Sequence, residues 1–374
     1  MPIEFILLGL TALYGWVACV IEDRSPPPGR RIMVHDRALH LCVLESVTEP
    51  TNPVTIVLDH SLGGMEGYLI AEQLLQSKSQ FESHRELHGE LHGELQCGRV
   101  CFYDRAGYGW SDYCFDSRTS DHIVTELNAL LTQANIKPPY LLVGDSFGSY
   151  NVRLYADRYP EQVVGLVLTD GLHESGMLAM PIALQALKLL FISGFVMATI
   201  GSALGIVRVL KDLGVFELLK PELRNYPPDS LRAVKRSFCR PKHWITMARE
   251  LWSLDESGRQ MPALSSPNNL PIVNIKSASF FKPAPWTKLI PLKAANQLRD
   301  RMHEQLAKLS TNTVQIQASN SGHFVWIDEP FLITQAITQI LNQAPPQLSR
   351  NPDRNPDRNP DLKNPIQNSN PSVS

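Results

Sequence analysis

The stretch Tyr140-Leu-Leu-Val-Gly-Asp-Ser-Phe-Gly148 decides how this chain is read. An apolar run, Tyr140 to Val143, leads into Gly144-Asp145-Ser146-Phe147-Gly148, and a helical pattern follows over 147–157. A G-x-S-x-G string is a weak signal alone. Placed between a buried strand and a helix it describes a sharp turn that pushes the serine out of the backbone, where little side chain crowds it. The helix that follows aims its free N–H groups at the same spot, so the Phe147 N–H is a candidate donor to a developing oxyanion.

Outward from this turn, apolar β-branched runs alternate with helical stretches. The runs lie at 31–35, 38–44, 54–59, 99–103, 140–144, 163–169, 271–275 and 313–318, with helix patterns near 67–77, 119–134, 147–157, 287–308 and 329–342. Thr119 and Ser120 read as the cap of the second of these helices. Continuously apolar strands separated by helices imply a parallel sheet covered on both faces. The expected fold is therefore α/β, an eight-stranded mostly parallel sheet that is antiparallel only at its start. The alternation breaks once, between 170 and 270, where about 100 residues are mostly helical; 189–207 there carry no charge. This insertion after strand six is read as a helical cap or lid lining an apolar pocket, with a second membrane span as the other reading.

The strand ends carry the remaining chemistry. His323 follows the last strand in Asn320-Ser-Gly-His-Phe324 and is the candidate base for Ser146, because active groups of parallel sheets gather at the C-terminal strand ends. The loop His60-Ser-Leu-Gly-Gly64 follows the strand at 54–59; its Leu62 N–H is the candidate second oxyanion donor, and His60 is read as shaping that loop. The third residue must be a carboxylate that orients His323. No Asp or Glu occurs from Ser257 to Arg299, so the loop after the seventh strand offers none. Asp170, ending the sixth strand, is the first choice and Glu174 the second. Asp104 and Arg105 are read as bracing the surrounding loops.

These pieces together, LDHSLGG at 58–64, YDRAGYGWSD at 103–112, GDSFGSYNVRLYADRYPEQVVGLVLTDG at 144–171 and SGHFVWIDEP at 321–330, resemble the α/β-hydrolase superfamily, and within it a bacterial subgroup that begins with a membrane helix and a Pro-Pro-Gly segment. The resemblance implies Ser146 as nucleophile, His323 as base, Phe147 and Leu62 as oxyanion donors, and a cap over 172–268. The chain departs from the family pattern at Ser61, where a glycine is usual, and in lacking an acid after strand seven. Some relatives take the acid from the end of strand six, the position of Asp170.

The ends differ in character. Residues 5–21 are uncharged and would span roughly 26 Å as a helix at ~1.5 Å per residue. They are read as an uncleaved N-terminal membrane anchor, and Arg24, Arg30 and Arg31 behind them place the bulk of the chain on the cytoplasmic side. The organisation expected is thus an anchor at 1–24, a core in two parts at 25–171 and 269–344, the cap at 172–268, and an Asn/Pro/Asp-rich disordered tail at 345–374. An ELHG repeat at 86–95 puts His84, His88 and His92 at helical spacing, but Gly89 and Gly93 argue for a surface loop rather than a metal site.

Composition sets the outer limits. The 374 residues carry 35 Lys and Arg against 37 Asp and Glu, a net charge of −2, which excludes a basic nucleic-acid footprint. Six irregularly spaced cysteines without a CxxC pair argue against a zinc ribbon. No cofactor or metal is expected. The expected function is a serine hydrolase cleaving an ester or related acyl bond of a small hydrophobic substrate, with a catalytically silent lipid- or partner-binding protein as the alternative.

Overall fold

A computed structural model describes residues 2–45, 52–75, 97–261, 269–282 and 291–343. The His-rich repeat and the C-terminal tail lie outside the described residues. The chain begins with α1 (Ile3–Glu22), followed by β1 (Arg30–Val34), β2 (Arg37–Glu45), β3 (Asn52–Asp59), α2 (Gly67–Leu75), β4 (Cys97–Asp104), α3 (Ser120–Gln133), β5 (Tyr140–Asp145), α4 (Gly148–Arg158) and β6 (Val163–Thr169). Among the described residues seven α-helices then intervene: α5 (Glu174–Met177), α6 (Ile182–Ala203), α7 (Ile206–Asp212), α8 (Val215–Leu219), α9 (Pro228–Phe238), α10 (Pro241–Trp252) and α11 (Leu254–Gln260). The alternation resumes with β7 (Ile272–Ser277), α12 (Leu292–Leu306) and β8 (Thr313–Ala318), and closes with α13 (Val325–Asp328) and α14 (Phe331–Gln343).

The eight strands form one sheet in the order β1-β2-β4-β3-β5-β6-β7-β8. β2 runs antiparallel to both β1 and β4, and every pairing beyond is parallel. The expected eight-stranded, mostly parallel α/β sheet is what the chain forms. Alternating side chains explain why each strand reads as continuously apolar. Val57, Leu142, Leu166 and Leu168 face a layer containing Ile123, Leu127, Leu130, Leu298 and Met302. Ile56, Leu58, Leu141, Val143 and Val167 face the opposite layer, with Leu69, Leu74, Ile333, Ile337 and Ile340. Both sets are excluded from water, so each strand needs apolar residues at consecutive positions. Truncating a side chain such as Leu142 to Ala would cost about 2–5 kcal/mol.

One local expectation is corrected. Thr119 sits at the start of α3, but neither it nor Ser120 caps the helix with its side chain. The orphan Ser120 and Asp121 N–H groups instead donate to Ser257 Oγ (3.0 Å) and Gln260 Oε1 (2.9 Å) of α11. A tertiary contact does the work that a local cap does elsewhere.

α1 and α6 are both long and apolar enough to cross a membrane by length and composition, with mean hydropathy of 1.9 and 1.8 over their best windows. α6 turns Leu184, Leu187, Phe191 and Phe195 inward and leaves Ile182, Leu189, Leu190, Val196, Met197 and Ile200 exposed. α1 lies across the α6–α7 junction. Gly205 there has a φ of 74°, and the place of its missing side chain is filled by the Thr11 carbonyl; a Cβ on Gly15 would come within 2.9 Å of Gly205 Cα. Ion pairs secure the end of α1: Glu22 with Arg208 (2.5 Å) and Arg240 (3.1 Å), and Asp23 with Arg236 (2.6 Å).

Candidate active site

β5 ends at Asp145, and Ser146 follows with a φ of 49°. This left-handed conformation is costly for a residue with a Cβ and holds only where the surroundings enforce it. Two contacts do so. The Ser146 N–H donates to Thr169 O on β6 (2.9 Å), and the Ser146 carbonyl accepts from Ser149 N (3.0 Å) and Ser149 Oγ (2.6 Å). Gly148 permits the turn to approach β3, since a Cβ there would meet the Asp59 and His60 carbonyls.

The structure brings Ser146, His323 and Asp170 into one chain of hydrogen bonds. His323 Nε2 lies 2.9 Å from Ser146 Oγ, and His323 Nδ1 lies 2.6 Å from Asp170 Oδ2. All three side chains are buried. Asp170 shares the left-handed backbone, with a φ of 40°, and its N–H donates to Ile275 O at 2.8 Å. Burial alone would raise the Asp170 carboxyl, but hydrogen bonds from His303 and His323 outweigh it and hold the group well below the usual carboxylate range. With Asp170 ionised, the proton sits on Nδ1, which leaves Nε2 free to accept from Ser146. The His323 ring is fixed by Phe280, stacked at 4.9 Å between centroids, whose carbonyl accepts the His323 N–H at 3.2 Å. Glu174 stands apart: it pairs with Arg153 of α4 at 3.0 Å, so that second choice for the acid does not reach His323.

The loop after β3 is held by groups that a reading of the sequence treats only as braces. Arg105 is fully buried and pairs with Asp59 (2.7 Å) and Glu250 of α10 (2.8 Å). Its guanidinium also donates to the His60 and Ser61 carbonyls, both at 2.7 Å. Because a trans peptide points its C=O and N–H in opposite directions, anchoring the Ser61 carbonyl on Arg105 turns the Leu62 N–H away from it. Arg105 also lies 5.5 Å from the centre of the Phe147 ring. Neither the Phe147 nor the Leu62 N–H has an acceptor among the described residues. Ser61, in place of the usual glycine, is absorbed by Glu66, which accepts from its N–H (3.2 Å) and its hydroxyl. His60 is buried between Glu66 (3.1 Å) and the Tyr103 carbonyl (2.8 Å) and takes no part in the Ser146 chain. Asp104 and Arg105 do not pair with each other. Asp104 receives the Trp110 N–H (2.9 Å) and approaches His40 Nδ1 (2.9 Å).

Two features escape a reading of the sequence. His303 of α12 lies 3.0 Å from Asp170 Oδ1, joined there by the N–H (3.1 Å) and hydroxyl (2.8 Å) of Ser277. Asp145, beside the serine, is buried, and burial, then the Glu66 and Asp170 charges and a hydrogen bond shared with Glu66, push its carboxyl well above the usual range. Among the described residues no group of three or more His, Cys, Asp or Glu side chains has the makings of a metal site.

Comparison with known proteins agrees with this architecture. Residues 98–198 match the family described as alpha/beta hydrolase fold. The uncharacterized protein YqjL of Bacillus subtilis is 44% identical over 68 residues, 18% of this chain and 27% of that protein. The uncharacterized protein C23C11.06c of Schizosaccharomyces pombe is 26% identical over 242 residues, 62% of this chain and 39% of the relative. The chain thus spans well under half the length of either relative. Among solved structures, an esterase from Exiguobacterium antarcticum superposes with a TM-score of 0.52 at 15% identity, covering 84% of this chain and 99% of its own. A lipase described as putative, from Acinetobacter baumannii, gives 0.53 at 18% identity, with 84% and 91% covered.

Proposed function

The chain is an α/β hydrolase by fold, and from that premise we propose that it is a serine hydrolase cleaving an ester or related acyl bond of a small hydrophobic substrate. The single observation that carries this reading is the Ser146–His323–Asp170 hydrogen-bond chain at the ends of β5, β8 and β6. In the reaction, Ser146 Oγ attacks the acyl carbon as its proton passes to His323 Nε2. The carbonyl oxygen, now an anion, is received by the Phe147 and Leu62 N–H groups, each such donor contributing about 2.7–4 kcal/mol. Collapse expels the alcohol, which takes the proton from His323 and leaves an acyl-serine. Water, deprotonated by the same imidazole, then releases the acid. A serine in place of a carboxylate at position 146 favours this route over alkyl transfer to an aspartate.

The alternative, a silent binding protein, drew on the lack of an acid between Ser257 and Arg299. Asp170 at 2.6 Å from His323 argues against it. The apolar helices of the cap favour a hydrophobic acyl group. The adjoining exposed apolar faces of α1 and α6 favour a place at a membrane, anchored through α1, and Arg24, Arg30 and Arg31 behind α1 favour the cytoplasmic side for the hydrolase core. The test is turnover of a p-nitrophenyl ester series of increasing acyl length. Hydrolysis that Ser146→Ala abolishes is the expected result; no turnover of any member counts against the reading.

A further inference from the structure

We propose that His303 is a positioning residue for this reaction, fixing the Asp170 carboxylate so that its other oxygen directs His323 toward Ser146. The inference rests on the serine-hydrolase reading and goes beyond it. His303 lies on α12, 133 residues from Asp170 in the chain, and is wholly buried. Its Nε2 is 3.0 Å from Asp170 Oδ1, and an ionised carboxylate only accepts, so Nε2 donates. Its Nδ1 lies 3.1 Å from Asn274 Oδ1, and the Asn274 amide donates to Gln315 Oε1 at 3.1 Å. Asn274 Oδ1 can only accept, so the contact that fixes a ring carrying its proton on Nε2 is the one to Asp170.

The division of the carboxylate makes the role specific. Among the described residues Oδ1 takes three donors, His303 Nε2, Ser277 N and Ser277 Oγ, while Oδ2 takes one, His323 Nδ1. Ser277 is in turn steadied by Arg299 Nη1 at 2.8 Å, also from α12. β7 and α12, on either side of the acid-free loop, thus supply donors to the acid that β6 provides. Such support matters because Asp170 sits in a strained backbone conformation, and His303 shares with Ser277 the work of keeping its carboxylate plane. The charged neighbours are accounted for. Lys276 of β7 pairs with Asp300 of α12, Glu174 of α5 pairs with Arg153 of α4, Glu304 of α12 and Lys308 beyond it line the same cleft as His303, and Asp170 is the charged group bonded to its ring.

The experiment compares the full-length wild type with His303→Leu and His303→Gln, reading kcat, KM and the pH profile of kcat/KM on an accepted ester. His303→Leu is expected to lower kcat about 10- to 100-fold, the cost of a lost hydrogen bond to a charged acceptor, with KM within twofold. The acid limb of the profile is expected to move to higher pH, because a carboxylate relieved of one donor holds the His323 imidazolium more strongly. His303→Gln, whose amide reaches Oδ1, is expected to recover most of the rate. A merely structural role would lower the amount of active enzyme and leave the limb in place. Should His303→Leu not fold, His303→Asn replaces it with the same expected results, since its shorter amide stops short of Asp170. An active wild type with kcat within twofold and an unmoved acid limb in the variant overturns the inference alone. A wild type with no esterase activity overturns the hydrolase reading and this inference with it.

Discussion

Ser146 and Asp170 occupy the same structural position on neighbouring strands: each is the first residue beyond a parallel strand, and each bends into the left-handed region, with φ of 49° and 40°. The two turns are stitched together, since Ser146 N–H donates to the carbonyl of Thr169, the residue before Asp170. The proposed acid and nucleophile thus come from adjacent strand ends, and His323, beyond β8, spans the two.

Asp170→Asn tests that arrangement against Glu174. An amide at 170 no longer selects the His323 tautomer with its proton on Nδ1, and the expected loss in ester turnover is about 10⁴-fold. Glu174→Gln is expected to remain within a few-fold of the wild type, because Glu174 is engaged with Arg153. Parallel kcat measurements on the two variants decide; equal losses would reject the assignment of Asp170.

Arg105 is expected to matter for both stability and rate. Arg105→Met strands Asp59 and Glu250 as buried charges, at a cost of about 3–5 kcal/mol by urea unfolding. It also frees the His60 and Ser61 carbonyls that set the Leu62 N–H. The folded variant is therefore expected to lose kcat. A stability loss without any loss of kcat would separate Arg105 from the oxyanion loop.

Asp145 predicts an unusual pH dependence. Its carboxyl is raised in the folded state by burial and then by Glu66 and Asp170. The folded protein therefore holds this proton more tightly than the unfolded chain, whose Asp titrates near ~3.9. The stability from this group is complete below that value and is lost as pH rises toward the folded value. Asp145→Asn removes the loss, so its Tm advantage over wild type is expected to grow between pH 4 and pH 8. A constant Tm difference across that range would contradict the raised carboxyl.

Membrane association is expected to depend on the exposed faces of α1 and α6 together. The full-length protein should float with phosphatidylcholine vesicles. Leu10→Asp with Leu13→Asp on α1, or Leu189→Asp with Met197→Asp on α6, should each weaken flotation, because all four side chains are exposed and apolar. Flotation unchanged by both pairs would remove the membrane assignment.

The legible parts of this molecule are those specified locally. Buried strands such as Tyr140–Asp145 and Val163–Thr169 announce themselves because both their faces are covered, and Ser146 because a serine between glycines must leave a strand by a sharp turn. Asp170 is accessible by elimination, once the stretch after Ser257 is seen to hold no acid. What stays hidden is chosen by distance in the chain. Nothing near His303 marks it as a partner of Asp170 133 residues away, and nothing near Arg105 marks Glu250, 145 residues away. Thr119 misleads for the same reason, since donors to Ser257 and Gln260 replace the local cap. The one signal that points to His303 is that a lone histidine sits among apolar positions of α12, at a site packed against β7.

The most direct test of the central claim is covalent capture of Ser146 by a fluorophosphonate, read by intact-mass and peptide mass spectrometry on wild type, Ser146→Ala and His323→Ala. A single adduct is expected on Ser146 in the wild type, none in Ser146→Ala, and labelling slowed by orders of magnitude in His323→Ala. A wild type that takes up no label, or a label that persists in Ser146→Ala, would contradict the claim.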